Sequence, residues 1–125
     1  MRLKSFTGST EVGMQLYQNS ANTLKHLSLE LGGNAPFIVF DDANLDKAVD
    51  GLLKAKFRNA GQTCVCANRI FVSGKIYDEF IQKLVPAVLQ LKIGNGLHPG
   101  INIGPLINKD AILHSLALID NAVSF

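Results

Sequence analysis

Residues 28–49 read SLELGGNAPFIVFDDANLDKAV, and the order of signals in that stretch decides the fold. Leu27, Leu29 and Leu31 alternate with Ser28 and Glu30, the two-residue period of a strand with one buried face. Gly32 and Gly33 end that strand and allow close backbone approach just beyond Glu30. Pro36 to Phe40 is a second apolar run, rich in Phe, Ile and Val, and reads as a strand buried on both faces. The period then changes. Leu45, Ala48, Val49, Leu52, Leu53 and Phe57 outline one stripe of an amphipathic helix between Asn44 and Ala60, with Asn44 as its cap and Asp46 at the positive end of its first turn. Gly61 stops this helix, so Gln62 to Cys66 form a loop.

The same grammar extends in both directions. Leu3 to Phe6 make a short strand, and Gly8 and Ser9 open a helix reaching to about Thr23. Downstream, Ile70 to Val72 form another strand, and Tyr77, Phe80, Ile81, Leu84, Val85, Val88 and Leu89 outline a helix that Pro86 should kink or limit to its N-terminal half. KIGNGLHPGINIGPLIN, from Lys92 to Asn108, reads as an ordered loop. A last helix begins at Lys109, with apolar Ala122, Val123 and Phe125 at its end. Strands separated by helices define an α/β class with largely parallel pairing and flanking helices. Only about four short strands are visible against about five or six in a typical sheet, which suggests a piece of something larger.

Composition narrows the function classes. The chain has 125 residues, 47% apolar and 18% charged, enough for a packed core. Twelve basic against ten acidic residues, with no basic run, give no electrostatic footprint for nucleic acid. No apolar stretch approaches the roughly 20 residues that span a bilayer, and the N-terminal MRLKSFTGST lacks a signal peptide's apolar region. Two cysteines make no disulfide framework and point to a reducing compartment, the cytoplasm, or a mitochondrion if a presequence lies upstream.

Three places carry candidate chemistry. Cys64, in KFRNAGQTCVCANR, sits on a polar loop with Arg58 on the preceding helix, a setting in which a thiolate nucleophile forms, or equally an inert cysteine sits. A zinc site is disfavoured, because His26, His98 and His114 are scattered without metal spacing, and no metal is expected. A disulfide between Cys64 and Cys66 would be strained and therefore reducible. Glu30, on the polar face of its strand, is either a general base or a solvent-facing residue. FTGSTEVG, between a strand and a helix, can hold a phosphate on its amides and the Ser9 hydroxyl or simply enter a helix; it matches neither a P-loop nor G-x-G-x-x-G.

Taken together, these stretches change status. The glutamate stretch and KFRNAGQTCVCANR, with Glu30 and Cys64 separated by 34 residues, resemble the two signatures of the NAD(P)-dependent aldehyde dehydrogenase superfamily. SFTGSTEVG resembles that family's cofactor-phosphate turn and IGNGLHPGINIGPLIN its later glycine-rich segment, so the similarity covers nearly the whole chain. Within the superfamily the cysteine motif looks most like the succinate-semialdehyde enzymes, close to those acting on glutarate and other ω-semialdehydes. The resemblance implies that Cys64 attacks the aldehyde, that Glu30 activates the hydrolytic water, and that NAD or NADP accepts hydride. Ser9 would contact the cofactor pyrophosphate with Gly8 leaving room for it, Leu31 and Gly32 would line the nicotinamide side, and Arg58 would pair with a distal carboxylate. Cys66 would be a second thiol able to form a reversible, protective disulfide with Cys64, or a small packing residue.

The resemblance also implies a longer enzyme, homo-oligomeric, of which this chain is an internal slice. Residues 1–31 would be the end of the cofactor-binding domain and residues 32–125 the beginning of the catalytic domain. The adenosine-binding strands, the asparagine of the oxyanion hole and the oligomerisation segment would lie outside it, so the 125-residue chain alone is expected to show no dehydrogenase turnover. The alternative is a truncated, non-catalytic product that binds a partner subunit or a nucleotide.

Overall fold

A computed structural model describes residues 1–124. In chain order the elements are β1 (Leu3–Thr7), α1 (Thr10–Ala21), β2 (His26–Glu30), β3 (Ala35–Val39), α2 (Leu45–Phe57), β4 (Ala67–Val72), α3 (Tyr77–Leu89) and α4 (Lys109–Val123). The strands form two separate parallel pairs, β1 with β2 and β3 with β4. Both pairings agree with the α/β, largely parallel expectation. Phe125, expected at the apolar end of the last helix, lies outside the described residues.

Three helices begin where a side chain can take up a free amide. Ser9, Asn44 and Asn108 are extended N-caps whose side-chain oxygens accept from Val12, Lys47 and Ala111 N–H groups at the heads of α1, α2 and α4. The core gathers around the second sheet. Val39 and Ala67 from β3 and β4, Leu45, Val49 and Leu52 from α2, and Phe80 from α3 form one buried cluster, and Phe80 is fully enclosed.

Three expectations need correcting. β3 is buried on one face only: Val39 is covered, whereas Ile38 and neighbouring Phe40 are 56% and 67% exposed. A continuous apolar run reports that both faces suit burial, not that both are covered here. α2 stops at Phe57 rather than near Ala60, because Asn59, Ala60 and Gly61 take left-handed φ values of 51°, 57° and 79° and turn the chain away. Pro86 sits in the last turn of α3, which runs on through it to Leu89. The missing Pro86 amide costs one bond, to the Gln82 carbonyl, and both residues lie on the exposed side of the helix, where water can take the donor's place.

Candidate active site

α1 meets the strand ends at its N-terminus. The Gly8 amide donates to the Glu30 carbonyl at 3.0 Å, which places the β1–α1 turn beside the end of β2. Gly13, one turn into α1, lies under Leu31 so closely that a Cβ would come within 2.6 Å of that side chain, and a Cβ on Gly32 would lie 3.6 Å from Thr10 Oγ1. Gly8, Ser9, Leu31 and Gly32 therefore form one neighbourhood. Ser9 caps the helix through Val12, while the first-turn amides of Thr10 and Glu11 receive no carbonyl from within the helix. Those free amides are donors that an anion such as a pyrophosphate can take, against the repulsion of the Glu11 carboxylate in the same turn.

The loop that carries Cys64 is built on the left-handed turn that ends α2. Asn59 and Gln62 cross-bond: Asn59 Nδ2 donates to the Gln62 carbonyl at 3.3 Å, and Gln62 Nε2 donates to the Asn59 carbonyl at 3.1 Å. Gln62 Oε1 also accepts the Ile107 amide at 2.8 Å, joining this turn to the glycine-rich segment. Cys64 emerges exposed, and Cys66 is buried with 1% exposure. The Cys66 Sγ lies 2.8 Å from Thr63 Oγ1 and 3.6 Å from the Lys56 carbonyl, inside the turn. Both thiols are free.

One contact brings together the segments that carry the two candidates. Gly33 lies flat against the Cys64 carbonyl, where a Cβ would stand 2.0 Å from that oxygen. Glu30 is exposed, three residues before that contact. Among the described residues no hydrogen bond joins its carboxylate to Cys64. Arg58 is the exposed residue immediately after α2 and lines a cavity of about 420 Å³ with Leu53, Phe57, Leu91, Asn102 and Ile103. That lining includes neither Cys64 nor Glu30.

Sequence reasoning passed over the residues that hold the two segments together. Asn68 Nδ2 donates to the Gly33 carbonyl at 3.2 Å, and Arg69 Nε donates to the Asn34 carbonyl at 3.2 Å. A faint signal existed. Pro36 has no amide to give a parallel partner, so the start of β3 is a natural place for an irregular register. Among the described residues no cluster of three His, Cys, Asp or Glu side chains could hold a metal, and no helix is long and apolar enough to cross a membrane.

Comparison with known proteins agrees with this geometry. Residues 1–124 match the aldehyde dehydrogenase family, and the chain belongs to it. It is 59% identical over 124 residues to glutarate-semialdehyde dehydrogenase of Pseudomonas putida, covering 99% of this chain and 26% of that protein. It is 62% identical over 112 residues to an NADP(+) succinate-semialdehyde dehydrogenase of Escherichia coli, covering 90% of this chain and 23% of the relative. The crystal structure of succinate-semialdehyde dehydrogenase from Burkholderia pseudomallei superposes with a TM-score of 0.95 at 55% identity, over 99% of this chain and 26% of that one. The chain thus spans about a quarter of the length of the relatives it matches.

Proposed function

We propose that this chain supplies the nucleophile, the base and the cofactor-phosphate turn of an enzyme that oxidises succinate semialdehyde to succinate with NAD or NADP. The observation that carries the reading is the seating of Gly33 on the Cys64 carbonyl, which sets the segment bearing Glu30 against the loop bearing Cys64. The family match and the semialdehyde dehydrogenases among its relatives, one of them acting on succinate semialdehyde, support it.

The chemistry follows from these residues. Exposed Cys64, as thiolate, adds to the aldehyde carbon, and the Cys64 amide together with an asparagine from outside this chain holds the resulting oxyanion. A bound dinucleotide would supply the hydride acceptor for that carbon, and Cys64 would then carry the acyl group as a thioester. Glu30 then takes a proton from water as the oxygen attacks the thioester carbonyl; the carbon–sulfur bond breaks, the acid departs and Cys64 returns as thiolate. Ser9, with the amides of Thr10 and Glu11, holds the pyrophosphate, and Leu31 and Gly32 border the nicotinamide. Arg58 pairs with the distal carboxylate, a task suited to a planar, permanently charged group. The break between the β1–β2 and β3–β4 sheets supports a boundary near residue 31 between a cofactor-binding and a catalytic domain.

The test places residues 1–124 in the matched position of the Pseudomonas putida relative and follows NAD(P)H formation. Cys64→Ala should abolish turnover. Arg58→Met should raise KM for succinate semialdehyde about 30-fold or more, the loss of a charge-assisted pair worth about 2 kcal/mol, while sparing an uncharged aldehyde of similar length. Turnover surviving Cys64→Ala would overturn the mechanism, and equal effects of Arg58→Met on both aldehydes would overturn the substrate assignment.

A further inference from the structure

β3 and β4 pair in register except at one point. Ala35 aligns with Ala67, but Pro36 aligns with Arg69, so Asn68 is an extra residue without a partner on β3. Such bulges re-aim a side chain. Here the freed Asn68 side chain is held at both ends. Its Oδ1 accepts from Lys56 Nζ at 2.8 Å and its Nδ2 donates to the Gly33 carbonyl at 3.2 Å. Lys56 fixes which way the amide points, because an ammonium only donates and the oxygen must face it. The nitrogen is then committed to Gly33. Arg69 repeats the hold one residue on, at the Asn34 carbonyl.

We infer that Asn68 is a positioning residue that sets the distance between the base and the nucleophile. It stands four residues after Cys64 and grips the carbonyl of the glycine that rests on Cys64, three residues after Glu30. Lys56, Asn68 and Gly33 form a clasp from α2 through the bulge to the linker behind Glu30. Opening the clasp loosens the linker at Gly33, with Arg69 still holding Asn34, and leaves the Cys64 thiol in place. The consequence falls on thioester hydrolysis, where Glu30 must reach a water, and not on the first attack by sulfur. This inference rests on the roles proposed above for Cys64 and Glu30.

p-Nitrophenyl acetate separates the two steps without a cofactor. Cys64 thiolate attacks the ester carbonyl and expels p-nitrophenolate, giving a burst; water then hydrolyses the acetyl thioester to acetate and free thiol, giving the steady rate. The assay is run on the 125-residue chain and on the same segment in the Pseudomonas putida relative. Asn68→Asp keeps the shape and the partner for Lys56 but loses the donor to Gly33. It should preserve the burst and slow the steady rate by about tenfold to a hundredfold, the scale of a small misplacement of a catalytic group. Lys56→Met, which removes only the group that orients the amide, should do the same more weakly, and it decides the matter if Asn68→Asp fails to fold. In a Glu30→Gln background Asn68→Asp should add nothing. A steady rate unchanged by Asn68→Asp, a lost burst in a folded variant, or additive effects with Glu30→Gln would overturn the clasp. A burst surviving Cys64→Ala, or a steady rate indifferent to Glu30→Gln, would instead overturn the underlying roles.

Discussion

Cys64 and Cys66 differ by two positions and by nearly everything that governs thiol reactivity. One is exposed; the other lies inside the turn against Thr63 and the Lys56 carbonyl. Iodoacetamide should therefore modify one thiol per native chain, on the peptide's Cys64, and the second only in denaturant, as read by mass spectrometry. Equal labelling of both in the native chain would remove the asymmetry. Gly33 makes a second residue-scale test. Gly33→Ala drives a methyl group into the Cys64 carbonyl and should cost about 1–3 kcal/mol of stability by chemical denaturation, as the loop is forced off its seat. Glu30 and Cys64 stand out in the sequence as candidates because each lies in a long, distinctive motif. Asn68 was not, because its partner is a backbone carbonyl 35 residues away and the contact exists only through a bulge.

At the scale of elements, helix stripes and caps translated directly into structure, whereas ends and buried faces did not. Asn44, Asp46 and the stripe beginning at Leu45 located the start of α2. Its end is set by consecutive left-handed residues, among which Ala60 gives no warning in sequence. That residue bears conformational strain. Ala60→Gly should raise the unfolding free energy by about 0.5 kcal/mol, as relief of the left-handed Cβ clash outweighs the added freedom of the unfolded chain. The Asp46 carboxylate, in the first turn of α2, meets Lys83 of α3 at 2.6 Å, and that hydrogen bond, with the charge of Asp46, raises the lysine pKa above its ordinary 10.5. A cation whose folded pKa is raised stabilises fully below its unfolded pKa and stops doing so as pH climbs through the folded one. The melting-temperature advantage over Lys83→Gln should accordingly hold from pH 7 to 9 and fade above 10.5. It should also be small, since the pair is solvent-exposed.

Across the whole molecule, apolar surface lies uncovered on both layers. Ile38, Phe40, Ile70 and Phe71 flank the second sheet, and Leu113, Leu116, Leu118 and Ile119 project from α4, none of whose described residues is buried. A chain that spans a quarter of its relatives' length and leaves such faces open should bind hydrophobic dyes and self-associate with rising concentration. The central claim concerns Cys64 and Glu30, and one trapping experiment reaches both. The segment is placed in the Pseudomonas putida relative with Glu30→Gln, mixed with succinate semialdehyde and NADP, quenched in acid and digested for mass spectrometry. A succinyl group should accumulate on the peptide at Cys64, at close to one per active chain, and should be absent with Glu30 in place. Rapid turnover without accumulation, or the acyl group on Cys66, would contradict the assignment of nucleophile and base.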